Sequence, residues 1–190
     1  MSWDKGFNFR GTSGFVTDGT DETYVLGDSY PTTRNGVTFG WTTAGITAAD
    51  DSSALDRRLA GVNYDASVPR TFQVDLPAAA DYTIDLAVGF SSSLSSAQQT
   101  IVKDTTTAVL SLGPHAVSGG KYWDAFDVER TSAANWVSAH QTVQKTFATT
   151  TLNIDISGGD HVLTHLFLHQ VSVTAPFFTT IGARHVRRRS

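Results

Sequence analysis

Polar and apolar positions alternate most regularly over Thr71–Gly89. Phe72, Val74 and Leu76 are separated by Gln73 and Asp75; after Pro77–Asp81, Tyr82, Ile84, Leu86 and Val88 are separated by Thr83, Asp85 and Ala87. A period of two on both sides of a turn predicts a hairpin of two antiparallel strands with one face on a core. Leu166–Val173 is apolar on both faces and predicts an interior strand of the same body. Shorter strands are predicted around Phe7, Phe9 and Phe15, at Tyr24–Leu26 and Val37–Trp41, and at Gln98–Lys103 with Thr107–Leu112 about a turn at Asp104-Thr105. Thr142–Phe147, Leu152–Ile156 and the His161–Val173 region complete the set. Gly27–Asn35 is turn-rich. Thr42–Asp65 reads as a long irregular connection with one helical turn in Ala54–Gly61, and His115–Ala133 as a surface loop partly packed on the body. Roughly ten short strands, no amphipathic helix and no repeat predict an all-β fold: two antiparallel sheets packed face to face, a jelly-roll type β-sandwich. Residues 1–174 form one domain in this reading, and 175–190 leave it as an extended basic arm.

Composition narrows the class. Hydrophobic content of 40% and charged content of 17% in 190 residues suffice for a full core and argue against disorder. With no cysteine, disulfides, thiolate metal sites and a cysteine nucleophile are excluded. The first residues offer no basic and apolar signal sequence, and no run approaches the ~18 apolar residues of a membrane span. Synthesis in the cytoplasm, with no signal peptide and no membrane partner, is the expectation.

Charge is unevenly placed. The net charge is −4, but Arg184, Arg187, Arg188 and Arg189 are four of the 14 basic residues and no acid follows Asp160. Residues 1–183 therefore carry 10 basic against 18 acidic residues, or −8. An acidic body with so short a basic cluster argues against nucleic acid as partner. Phe177 and Phe178 would be costly to leave in water. With the four arginines they make the arm a candidate subunit contact.

Several groups invite a chemical reading. Gly27-Asp28-Ser29 is the opening of one esterase nucleophile block, but Pro31 follows and no strand-to-helix crossover exists, so a turn is expected. His161, His165 and His169 recur every fourth residue; on a strand the outer two stand ~26 Å apart, too far for one metal. Individually hydrogen-bonded imidazoles are expected instead. Asp50, Asp51 and Asp56, with Asp18 and Asp21, could supply oxygen ligands to a calcium ion, but their spacing lacks the regularity of a dedicated loop, and solvated loop carboxylates are the expected reading. No other cofactor is indicated. Sugar rings stack on aromatic faces while carboxylates take their hydroxyls, which makes Tyr122, Trp123, Asp124 and Trp136 the candidate carbohydrate-binding residues, with subunit contact and loop packing as the alternatives for Tyr122 and Trp123. Trp41 is assigned to the core.

Phe7-Asn8-Phe9, Gly40-Trp41, Asp56-Arg57, Thr71–Pro77, Asp81-Tyr82-Thr83-Ile84 and Val88-Gly89 occur in an order that resembles the galactose-binding-like β-sandwiches of malectin. The order also resembles the accessory domain of bacterial rhamnogalacturonan acetylesterases. Leu152–Gly158 followed by His165–Val173 resembles that family's closing strands. The opening departs from the family's Phe-Asp-Phe-Gly, carrying Asn8 and Arg10. The resemblance implies the sandwich fold, more than any sugar specificity, and motivates a carbohydrate-binding reading.

Two functions follow as expectations, neither enzymatic. The first is a structural or adhesion protein on a virion surface, a phage head-decoration or appendage subunit: a bare sandwich without export signal, with an arm suited to gripping neighbouring copies or other virion proteins. The alternative is a carbohydrate-binding module for a plant or bacterial polysaccharide.

Overall fold

The computed structural model describes residues 3–12, 22–50, 56–66, 68–91, 97–116 and 119–172. The arm with Phe177, Phe178, Arg184, Arg187, Arg188 and Arg189 lies outside them. In chain order the strands are β1 (Asp4–Phe9), β2 (Glu22–Val25), β3 (Thr32–Arg34), β4 (Val37–Trp41), β5 (Thr47–Asp50), β6 (Gly61–Asp65), β7 (Arg70–Asp75) and β8 (Ala80–Phe90). They continue as β9 (Ala97–Asp104), β10 (Thr107–Ala116), β11 (Lys121–Trp123), β12 (Glu129–Arg130), β13 (Val143–Phe147), β14 (Thr151–Gly158), β15 (His161–Leu163) and β16 (His165–Gln170). One 3-10 turn (Arg57–Leu59) and one short helix, α1 (Ala133–Ala139), complete the described elements.

The fold is an all-β sandwich. A seven-stranded sheet runs β12-β11-β8-β16-β1-β2 with β13 also on β8; a six-stranded sheet runs β10-β9-β14-β7-β4-β3; β15-β6-β5 form a third, small sheet. Pairing is antiparallel except between β1 and β2. Phe7, Phe9, Ile84, Leu86, Leu166 and Leu168 from one large sheet meet Phe39, Trp41, Phe72, Val74, Val102 and Ile154 from the other, all buried. Phe72 is the hub of the aromatic packing, with Phe9 at 4.9 Å and Trp41 at 5.3 Å between ring centroids.

The alternation over Thr71–Gly89 is as predicted, but the hairpin is not. β7 pairs with β4 and β14, whereas β8 pairs with β16, β11 and β13. The chain between them crosses from one sheet to the other. An arch of this kind sends alternate side chains of both strands into the core from opposite sides, and a hairpin produces the same period of two. Periodicity alone does not separate them.

Other segments expected to be irregular carry pairing. Thr42–Asp65 holds β5 and β6 around the 3-10 turn, which falls within the stretch expected to be helical. His115–Ala133 holds β11 and β12. The His161–Val173 region is two strands in two sheets, broken at Thr164, whose hydroxyl donates to the Gly89 carbonyl. Helix α1 is too short to show a periodic stripe. It is set by Ser132, whose hydroxyl accepts the Asn135 N–H at 3.1 Å, and by the single buried side chain Trp136.

Asn63 on β6 ties three elements to Trp41. Its carbonyl accepts from Trp41 Nε1 at 3.0 Å and Gly27 N at 3.1 Å, and its amide donates to the Val25 and Arg10 carbonyls at 3.2 and 3.4 Å. Asn63→Leu leaves the Trp41 indole N–H, the Gly27 N–H and the Arg10 carbonyl without this partner, each at ~1–3 kcal/mol before relaxation, while the Val25 carbonyl keeps the Arg10 N–H. We expect a net loss of about 3 kcal/mol. Denaturant unfolding should register it as a lower midpoint at unchanged slope; a loss under about 1 kcal/mol would dismiss the bracing role.

The two large sheets differ in what lies outside them. The outer face of the seven-stranded sheet is covered by α1 and the 3-10 turn, which enclose a second cluster of Leu59, Ala87, Tyr122 and Trp136. On the six-stranded sheet the outward residues Thr71, Gln73, Asp75, Asn153, Asp155, Ile101 and Lys103 are all partly exposed.

Candidate functional site

The aromatic residues picked out by sequence are not a surface platform. Tyr122 is 1% exposed, Trp123 4%, Asp124 0% and Trp136 0%. Tyr122 and Trp136 pack under α1, and Trp123 points into the main core with the His115 imidazole stacked on it, 4.5 Å between centroids. A ring covered on its faces has none to offer a sugar. Asp124 is structural in its contacts. Its carboxylate accepts from Phe126 N at 2.9 Å, Val128 N at 3.2 Å, Gln141 N at 3.0 Å and Arg130 Nε at 2.9 Å, with a further bond from Arg130 Nη2.

Beside this second core lies a ring of polar side chains. His140 caps α1, stacks on Trp136 at 4.0 Å, and donates Nδ1–H to the Trp136 carbonyl at 2.8 Å. Its Nε2 lies 3.1 Å from Asp85 Oδ2. Burial pushes the Asp85 carboxyl up, against the opposing pull of His140 and Arg58. His165, fully buried, has its Nε2 3.9 Å from the same carboxylate and its Nδ1 3.3 Å from Asn8. Burial and the Arg58 cation bring His165 down to about 3. A depression of about 240 Å³ adjoins α1, lined by Asp56, Ala133, Ala134 and Val137. The carboxylate in its wall is already engaged by Arg58 through Nε and Nη2, each at 3.0 Å. Both nitrogens of His140 and both oxygens of Asp56 are thus spent on the fold.

The remaining motifs resolve into ordinary contacts. Asp28 of Gly27-Asp28-Ser29 accepts from Leu26 N at 2.8 Å and pairs with Arg34 at 3.0 Å, which makes the motif a turn. His161 lies on the Gly159 and Val68 carbonyls, His165 on Asn8 and His169 on Asp4: three separate imidazoles. Of the acids considered for calcium, Asp50 is bound to Arg10, Gly11 N and Thr12, and Asp56 to Arg58. Asp18, Asp21 and Asp51 lie outside the described residues. Among the described residues no cluster of three or more His, Asp or Glu side chains is arranged to hold a metal ion.

The open face of the six-stranded sheet is the better candidate. Register aligns Gly40, Gln73, Asn153 and Lys103 in one row across β4, β7, β14 and β9. Thr71, Asp155 and Ile101 form the row on one side, and Asp75 and Thr151 that on the other. Strands ~4.8 Å apart make the central row ~14 Å long. Gly40 is indispensable to this layout. The Ser29-Tyr30 segment crosses it so closely that a Cβ would lie 2.5 Å from Tyr30 N, and its φ of 143° also favours glycine. The crossing brings Tyr30 over the sheet, where its hydroxyl donates to both Asp75 oxygens at 3.1 and 3.2 Å. Burial, reinforced by the Asp75 carboxylate, raises the Tyr30 phenol above its usual value, so it stays a donor. Gln73 Nε2 donates to Asp75 at 3.3 Å, Thr71 to Asp155 at 2.6 Å, Lys103 to Asp155, and the Asn153 amide to the Thr105 carbonyl at 2.7 Å. Planar amides, carboxylates, hydroxyls and a tyrosine are held in fixed geometry on a flat backbone. The sequence shows these residues only as the polar half of an alternation; the signal within it is that hydroxyl and amide side chains stand where long flexible charges usually do.

No family model matches the sequence, and no curated protein matches it. Solved structures do. A calcium-binding mutant of β-glucuronidase 2 from Bacteroides uniformis aligns over 89% of this chain with a TM-score of 0.54 at 13% identity. A β-glucuronidase of the same organism aligns over 89% with a TM-score of 0.51 at 13% identity. The chain spans 18% of the length of each. What the likeness establishes is the fold, a β-sandwich that also occurs as part of glycosidase chains.

Proposed function

We propose that this protein is a non-catalytic carbohydrate-binding β-sandwich that takes its glycan on the outer face of the six-stranded sheet. The observation that carries this reading is the face itself. Tyr30 offers apolar ring surface and a hydroxyl, and Gln73, Asp75, Asp155 and Lys103 line the same face with fixed donors and acceptors. A sugar presents the complement, apolar C–H surface edged by hydroxyls. The fold supports the reading from a second side, because the neighbours are named as β-glucuronidases and match over a module-sized part of their length. The virion-surface reading draws on a bare sandwich and on the arm at 175–190; the arm lies outside the described residues, and the described ones add nothing in its favour.

The test is glycan-array binding followed by titration of the best polysaccharide. Losing the Tyr30 contact or a Gln73 hydrogen bond costs about 1–1.5 kcal/mol, so Tyr30→Ala and Gln73→Ala should each weaken binding roughly tenfold. Tyr30→Phe, which keeps the ring, should lose less. Binding that ignores all three substitutions, or no glycan bound at all, would sink the proposal.

A further inference from the structure

We infer that the glycan taken by this face is a neutral polysaccharide, and that Asp75 is the residue that turns polyuronates away. The inference rests on the carbohydrate reading above and adds the chemical class of the ligand. The outward groups are unequal in charge. Asp155 is matched by Lys103, whose ammonium it holds along with the Thr71 hydroxyl. Asp75 is not matched: among the described residues its partners are the Tyr30 phenol and the Gln73 amide, both neutral donors. The face therefore presents two carboxylates to one ammonium.

Donor and acceptor count points the same way as charge. Ionised carboxylates only accept, so the free lone pairs of Asp75 and Asp155 call for hydroxyl donors. Neutral sugars supply those at nearly every ring carbon. A uronate replaces one hydroxymethyl donor by an acceptor that carries like charge. Its repulsion from Asp75 is felt at close range and is screened beyond ~10 Å in 0.1 M salt. Because the central row crosses the strands at ~4.8 Å spacing, an extended chain laid along it brings successive sugars past Asp75 and its neighbours.

Matched polysaccharides separate charge from shape: hydroxyethylcellulose against carboxymethylcellulose, and highly methyl-esterified against free polygalacturonate. In affinity gel electrophoresis at 10 mM NaCl, the wild-type protein should bind the neutral member of a pair at least tenfold more tightly. Asp75→Asn preserves the side-chain shape and one acceptor, and should shrink that gap several-fold, with less effect at 150 mM NaCl. A wild-type protein that binds the acidic member as well or better, through Tyr30 and Gln73, would overturn the neutral class and leave the carbohydrate reading standing. Binding to neither member of any pair nor to a glycan array would overturn both. A gap unchanged in a folded Asp75→Asn variant would remove Asp75 from the role. The wild-type comparison decides the class even if that variant fails to fold.

Discussion

Asp124→Ala is expected to lower stability by about 3–5 kcal/mol, the cost of breaking a buried ion pair and stranding its partner. Few side chains in the molecule do so many things at once. The Asp124 carboxylate neutralises Arg130, closes the turn at Phe126–Val128 by taking two of its N–H groups, and fastens Gln141 N just after α1. A double substitution separates these roles. If the ion pair dominated, Arg130→Ala added to Asp124→Ala would relieve the stranded cation and restore most of the loss. Three backbone donors stay unmet in both cases, each at ~1–3 kcal/mol, so we expect less than half to return. Denaturant titration of the single and double variants makes the measurement. Full recovery in the double variant, or a single-variant loss under about 1 kcal/mol, would show that the turn holds without its carboxylate.

The same residue illustrates how far the sequence could be read. Tyr122-Trp123-Asp124 looked like a ligand-binding cluster because aromatic and acidic side chains sit together in a stretch without long periodicity. In the structure that composition serves packing: β11 adds to β8 at Gly89, the two rings turn to opposite sides into two different cores, and the carboxylate ties the turn. What was legible followed from the period of two, which set the strands, the inward set Phe72, Val74, Ile84 and Leu86, and the core place of Trp41. Pairing partners were not legible, because an arch and a hairpin write the same pattern. Nor was α1, whose seven residues bury one side chain. The candidate glycan face was visible only as the complement of the core, since rows across a sheet join Gln73 to Asn153 and Lys103 over long sequence separations.

The asymmetry of the sandwich gives these misreadings a common cause. A sheet face covered by a helix needs aromatic and polar residues for its own closure, and Tyr122, Trp136, His140 and Asp85 are used in that way. The candidate ligand groups then lie on the uncovered face, where hydroxyl, amide and carboxylate side chains are held by one another rather than by core packing.

The covered face has a consequence in acid. His165 is fully buried, and its desolvation, with the Arg58 cation next in weight, holds its pKa at about 3 against an ordinary 6.5; Asp56 opposes the shift and His140 adds to it. Between those values the unfolded chain binds a proton that the native state refuses, so stability falls as pH falls from 6.5 towards 3. One proton refused is worth at most ~1.4 kcal/mol per pH unit, or about 5 kcal/mol over the window. Asp85 works in the other direction. Its carboxyl is raised above the unfolded 3.8, so the native state takes that proton first and regains part of the loss as pH falls towards 3.8. The net expectation is a steep decline from pH 6.5 that flattens once Asp85 begins to titrate. Denaturant unfolding at half-unit steps from pH 7 to 4 measures the curve, and His165→Gln supplies the control, since it fills much of the space without titrating. The variant should lose the early slope whatever its stability at neutral pH. An equal slope in both proteins would mean that His165 accepts its proton in the folded state, and that the closure over the seven-stranded sheet opens to water more readily than its packing implies.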